Sequence, residues 1–174
     1  MTSLLRILSF VTLFQLCTLA HAASPLAGTW RIVPEQSTDF TPWRTYDLTI
    51  TVDGDDVTLD RRLAWGRRAY EDQTSITVGP DVNLVPTDFW PDNRHIGAYL
   101  GGDKTQRISA TWLDDGRILR LSNDLVLETQ QGSRAVNILS DYKVSANGRQ
   151  LTLIQLRSTR NKPTVYVFER VDTP

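Results

Sequence analysis

The sequence predicts an all-β fold: an antiparallel up-and-down β-barrel, with a two-sheet β-sandwich as the alternative. Three observations carry this. Apolar and polar residues alternate with a period of two: Tyr46, Leu48, Ile50 and Val52 interleave with Thr45, Asp47, Thr49 and Thr51, as in a strand with one face buried. Turn-forming dipeptides separate such stretches, because Asp-Gly and Asn-Gly tolerate the positive backbone angles of tight hairpins. Beyond the N-terminal segment, no ten-residue window has a helical period and no Gly/Ser-rich or Pro-rich linker divides the chain. Seven or eight strands nearly use up the remaining length, and closure into a barrel hides the two edges of such a sheet.

Residues 1–22, "MTSLLRILSFVTLFQLCTLAHA", are expected to be a secretory signal peptide. Arg6 precedes an apolar run from Ile7 to Leu19, and Ala20-His21-Ala22 forms a small-residue cleavage pattern. Ser9, Thr12, Gln15 and Thr18 interrupt the run, which is too short for a membrane span of about 20 residues. Phe14-Gln15-Leu16 lacks the small residue that lipid attachment at Cys17 would need. Cleavage after Ala22 leaves residues 23–174 as a single barrel domain, secreted or periplasmic, with no integral membrane segment.

Loss of Arg6 takes the formal charge from −1 to −2. This near-neutral balance provides no general electrostatic reason to expect a nucleic acid or an anionic membrane as partner. The chain has one Cys and two His; Cys17 and His21 leave with the signal, so His95 remains as the one histidine. A cysteine-free exported domain depends on its core for stability. No metal-ligand spacing, phosphate-binding glycine loop, dinucleotide fingerprint or GxSxG elbow is present. Metal, cofactor and nucleophilic chemistry are therefore not expected, and no catalytic residue is assigned.

The elements follow in order. "LAGTWRI" at 26–32 begins the first strand, and 45–52 forms the second. The turn "DGDD" at 53–56 leads into Val57, Leu59 and Leu63. "TQRISATWL" at 105–113 is joined through Asp115-Gly116 to "RILRLSNDLVLE", and "VNILSDYKVS" through Asn147-Gly148 to "RQLTLIQLR". "VYVFERV" at 165–171 is the last strand.

The ends of the chain resemble the lipocalin-like, or calycin, pattern. Gly28-x-Trp30 opens the first strand and Arg170 lies near the end of the last. The middle is similar in style to small exported bacterial lipocalin-like domains of unassigned function. The resemblance implies that Trp30 packs beneath Arg170 to plug one end of the barrel, with Gly28, Trp30 and Arg170 structural. A guanidinium on an indole face contributes roughly 0.5 to 2 kcal/mol.

Broken alternation marks the interior. If Val57 and Leu59 face inward, so does Arg61, while Arg62 faces out. Leu119, Leu121, Leu125 and Leu127 carry Asn123 on their face; Val136, Ile138 and Val144 bring in Ser140 and Tyr142. Buried polar groups need partners, since each left bare costs about 1 to 3 kcal/mol. Arg61 either clamps the carboxylate of a fatty acid or similar anion, pairs internally with an acid such as Asp72, or is turned outward by a bulge. The run "RRLAWGRR" at 61–68 reads as a solvated edge offset by Glu71 and Asp72. The stretch 87–99, "TDFWPDNRHIGAY", gathers Phe89, Trp90, His95 and Tyr99 into a loop that covers a seam or lids the mouth. His95 beside Asp88 and Asp92 could act as a base, though such a loop histidine is ordinarily solvated.

These features lead to a small apolar or amphipathic ligand held in a barrel cavity, with Arg61, Asn123, Tyr142, Tyr46, Trp90 and His95 as ligand-binding candidates. The alternatives are a packed barrel acting as a non-enzymatic envelope interaction module, and a cofactor-free cyclase or isomerase.

Overall fold

The computed structural model of the chain describes residues 24–38, 44–87 and 99–171. The expected signal segment, Trp90 and His95 lie outside the described residues. Eleven strands are present among them: β1 (Gly28–Ile32), β2 (Thr45–Asp53), β3 (Asp56–Trp65), β4 (Arg68–Thr77), β5 (Asn83–Pro86), β6 (Tyr99–Leu100), β7 (Thr105–Leu113), β8 (Ile118–Thr129), β9 (Gly132–Val144), β10 (Gln150–Arg157) and β11 (Thr164–Arg170). A single 3-10 turn, Pro34–Gln36, follows β1.

The sheet is antiparallel, in the order β4-β3-β2-β1-β11-β10-β9-β8-β7-β5, with β6 pairing the far part of β8. This is a nearly closed barrel, not the two-sheet sandwich. It has more than the expected seven or eight strands because 68–86 supplies β4 and β5, and Tyr99 begins β6 instead of ending a loop. Where β4 meets β5 the ladder gives way to a side-chain clamp. The Thr77 backbone N–H donates to Asn83 Oδ1 at 2.8 Å, while Asn83 Nδ2 donates to Thr77 O at 3.0 Å and Ile108 O at 3.1 Å. The amide of Asn83 thus stands in for a peptide group at the seam, using backbone partners that would otherwise lack one.

Strand direction defines two ends. At the closed end lie the turns β2–β3, β4–β5, β7–β8 and β9–β10; at the mouth lie the connections β1–β2, β3–β4, β8–β9 and β10–β11. The main core fills the closed end, where Trp30, Leu48, Ile50, Val57, Leu59, Leu119, Leu151, Leu153 and Phe168 are all buried. A second, smaller cluster, Leu125, Leu127, Val136 and Ile138, packs with Leu100 toward the mouth. Alternation explains both: the inward residues of β8, from Leu119 to Leu127, are apolar at each end and interrupted at Asn123.

Arg170 closes the lower end. Its guanidinium carbon sits 4.1 Å from the centre of the Trp30 ring, and its three nitrogens donate to Gly148 O, Ala27 O and Pro25 O at 2.8, 2.8 and 2.7 Å. One side chain ties the entry to β1, the β9–β10 turn and β11 together. The indole N–H of Trp30 donates to Leu26 O at 2.9 Å. Gly28 is required for two reasons: its φ is +136°, and a Cβ there would collide with Arg170 Nη1.

Candidate functional site

Between the two apolar clusters the interior turns polar. A cavity of about 80 Å³ is lined by Tyr46, Arg61, Asp72, Asn123, Tyr142 and Arg157, together with further side chains from seven strands. Four of the expected ligand-binding residues, Arg61, Asn123, Tyr142 and Tyr46, are thus brought onto one cavity.

Arg61 faces inward, as alternation along β3 requires. It is directly opposite Asp72 on β4, and the pair is bidentate: Nε donates to Oδ1 at 2.8 Å and Nη2 to Oδ2 at 2.5 Å. Nη2 also donates to Thr74 Oγ1 at 2.7 Å. Of the roles open to Arg61, internal pairing is the one observed. Arg62 points outward, 3.2 Å from Glu71. Burial by itself pulls the Arg61 guanidinium down, but Tyr46, Asp72 and Tyr142 together outweigh it and hold it above its ordinary range. It is a permanent cation.

Tyr46 packs edge-on against Phe168, ring centres 5.0 Å apart, and against Tyr166 at 5.9 Å. Burial raises the hydroxyls of both Tyr46 and Tyr142 above the usual phenol value of 10.0, with the Arg61 charge opposing the rise. Both phenols are therefore neutral donors at physiological pH. Because the folded pKa exceeds the unfolded one, their contribution to stability is fully present below about pH 10 and is lost as pH rises through the folded value, with a limiting slope of about 1.4 kcal/mol per pH unit for each group. Tyr46→Phe is expected to flatten this alkaline loss, which urea unfolding at pH values on either side of about 10 measures.

Across the cavity, Asn123 Nδ2 donates to Gln106 Oε1, and Gln155 Nε2 donates to Ser140 Oγ at 3.2 Å. Asn123 Oδ1 is buried with no hydrogen-bond partner among the described residues. Arg157, 7% exposed, brings a second guanidinium to the wall. The expected set left out Thr74, Gln106, Gln155 and Arg157, while Asp72, foreseen as an internal partner of Arg61, lines the cavity with it. The same alternation would have found most of them. Leu151 and Leu153 point inward on β10, so Gln155 and Arg157 follow; Ile108 and Ala110 do the same for Gln106 on β7.

The volume limits what fits. Pockets for drug-sized ligands span about 300 to 1,000 Å³; 80 Å³ admits a head group or a few waters. The apolar side chains are spent on packing at each end, and what remains open is a polar belt.

The nearly closed antiparallel barrel is a lipocalin-like fold. Apo lipid binding protein 8 of Caenorhabditis elegans superposes with a TM-score of 0.57 at 10% identity, covering 86% of this chain and 98% of that one. Secretory abundant heat soluble protein 4 from Ramazzottius varieornatus matches with a TM-score of 0.51 at 11% identity, covering 86% and 97% respectively. No family model and no curated protein matches the sequence. At these identities the likeness is one of fold, and chemistry has to be argued from the site.

Proposed function

We propose that the protein is an exported ligand-binding barrel that takes a small amphipathic molecule by its acidic head group. The observation that carries this is the make-up of the polar belt: among its described lining residues are two guanidiniums, Arg61 and Arg157, and one carboxylate, Asp72. A guanidinium offers the carboxylate of such a head group two parallel donors. Arg61, held by Asp72 and Thr74, fixes the geometry and the local potential, and the Arg157 guanidinium on the same wall adds to that potential. Tyr46, Tyr142 and the acceptor Oδ1 of Asn123 orient it. The apolar tail lies toward the mouth, past Leu125, Leu127 and Ile138. Support for an amphipathic ligand also comes from the fold, which lipid binding protein 8 shares.

Native mass spectrometry of the exported protein, followed by denaturing extraction, tests this. The mature mass is expected to begin after Ala22 and to carry an acid-headed ligand. Arg157→Gln is expected to lose that ligand and to bind a fluorescent fatty acid at least about tenfold more weakly, the loss of one positive charge from the wall, with the far-ultraviolet circular dichroism unchanged. A wild-type protein that carries no ligand and admits no acid-headed probe would instead make this a packed barrel whose function lies on its outer surface.

A further inference from the structure

The turn of the β3–β4 hairpin lies at the mouth and joins an exposed indole to exposed cations. Trp65 and Arg68 stand directly opposite each other across its two-residue turn, and Gly66, with φ +60°, supplies the positive angle that the first position of a primed turn demands. Trp65 is 45% exposed, and Arg67 and Arg68 are both exposed beside it. The Arg44 backbone N–H donates to Ala64 O at 2.9 Å, which sets a third exposed cation next to the tip.

The acids that follow in sequence do not neutralise this tip. Glu71 is taken by Arg62 on the outer face and Asp72 by Arg61 inside. Among the described residues Arg44, Arg67 and Arg68 have no ion-pair partner. Among the described residues the opposite end is acidic on balance: Asp53, Asp55 and Asp56 at the β2–β3 turn and Asp114 and Asp115 at the β7–β8 turn outnumber Arg117, Arg149 and Arg170. A near-neutral total charge thus hides two poles.

We propose that the β3–β4 tip docks the barrel mouth-first on an anionic lipid surface, with Trp65 at the level of the head groups and Arg44, Arg67 and Arg68 against the phosphates. An indole combines an apolar body with a polar N–H and suits the membrane interface, and cations near an anionic leaflet each add to binding. The acidic far pole is repelled by the same surface, which sets the orientation. Docking here would also place the mouth, and so the polar belt, toward the bilayer.

The test is co-sedimentation of the protein, with identical termini in every variant, on phosphatidylcholine vesicles and on vesicles of phosphatidylcholine and phosphatidylglycerol at roughly three to one. Wild type is expected to bind the anionic vesicles and to be released by salt, since exposed charges are screened. Arg67→Gln/Arg68→Gln is expected to bind them about thirty-fold more weakly, the effect of two surface cations. Trp65→Ser is expected to bind several-fold more weakly, whereas Arg117→Gln/Arg149→Gln at the closed end leaves binding unchanged. Trp65, Arg67, Arg68 and Arg149 are exposed and Arg117 is half-buried, and an unchanged thermal midpoint shows that each variant is folded. Equal binding to both vesicle types, insensitivity to the tip substitutions, or capture by heparin with no vesicle binding overturns the proposal; the last assigns the tip to a soluble polyanion.

Discussion

Asp72→Ala is expected to destabilise the barrel by about 3 to 5 kcal/mol, the penalty of leaving a mostly buried charge without its partner. Arg61 and Asp72 expose only 16% and 15% of their side chains. With the carboxylate gone, the Arg61 guanidinium keeps Thr74 as its one remaining hydrogen-bond acceptor among the contacts seen here. The double substitution Arg61→Leu/Asp72→Leu is expected to recover most of that loss, because well-packed apolar residues can replace a buried pair at little cost or a small gain. Urea unfolding of the wild type, Arg61→Leu, Asp72→Leu and the double closes the cycle. A single substitution that costs less than about 1 kcal/mol would place the pair in the range of solvated surface bridges and so mean that water fills the belt freely.

The second large effect is expected at the closed end, where Trp30→Ala should cost about 3 to 5 kcal/mol, as for truncation of other fully buried aromatics. Trp30 is 0% exposed, and its loss leaves Leu26 O without the indole N–H and Arg170 without the ring beneath it. Arg170→Ala removes three carbonyl contacts as well as the stacking. The Trp30/Arg170 double-mutant cycle isolates the stacking itself, with a coupling of roughly 0.5 to 2 kcal/mol. Arg170→Lys is not a conservative change here: an ammonium cannot span Gly148, Ala27 and Pro25 in the fork that the guanidinium makes.

Much of the fold was legible from local pattern. Tyr46 to Val52 could be read as a half-buried strand because the period of two is a property of the extended backbone itself, and the hairpins at Gly54, Gly116 and Gly148 because positive φ selects glycine. The region 68–86 was less legible. On β4 the inward residues Tyr70, Asp72, Thr74 and Ile76 mix polar and apolar types, so alternation of side-chain character breaks down where a strand lines a polar cavity. The short β5 and β6 carry too few residues to show any period.

The site divides in the same way. Sequence alone determined that Arg61, Asn123, Ser140 and Tyr142 share faces with core residues, because side-chain direction along a strand follows from parity once one inward residue is known. Only the tertiary structure decided what each inward polar group meets. The register of β3 against β4 put Asp72 opposite Arg61, barrel closure carried Arg157 from β10 to the same cavity, and the strand directions sent the Trp65 hairpin to the mouth and the aspartate turns to the opposite end. Parity is set residue by residue along one strand. Partnership and polarity depend on which strands become neighbours and on how the sheet closes, and those are long-range contacts that no local pattern contains.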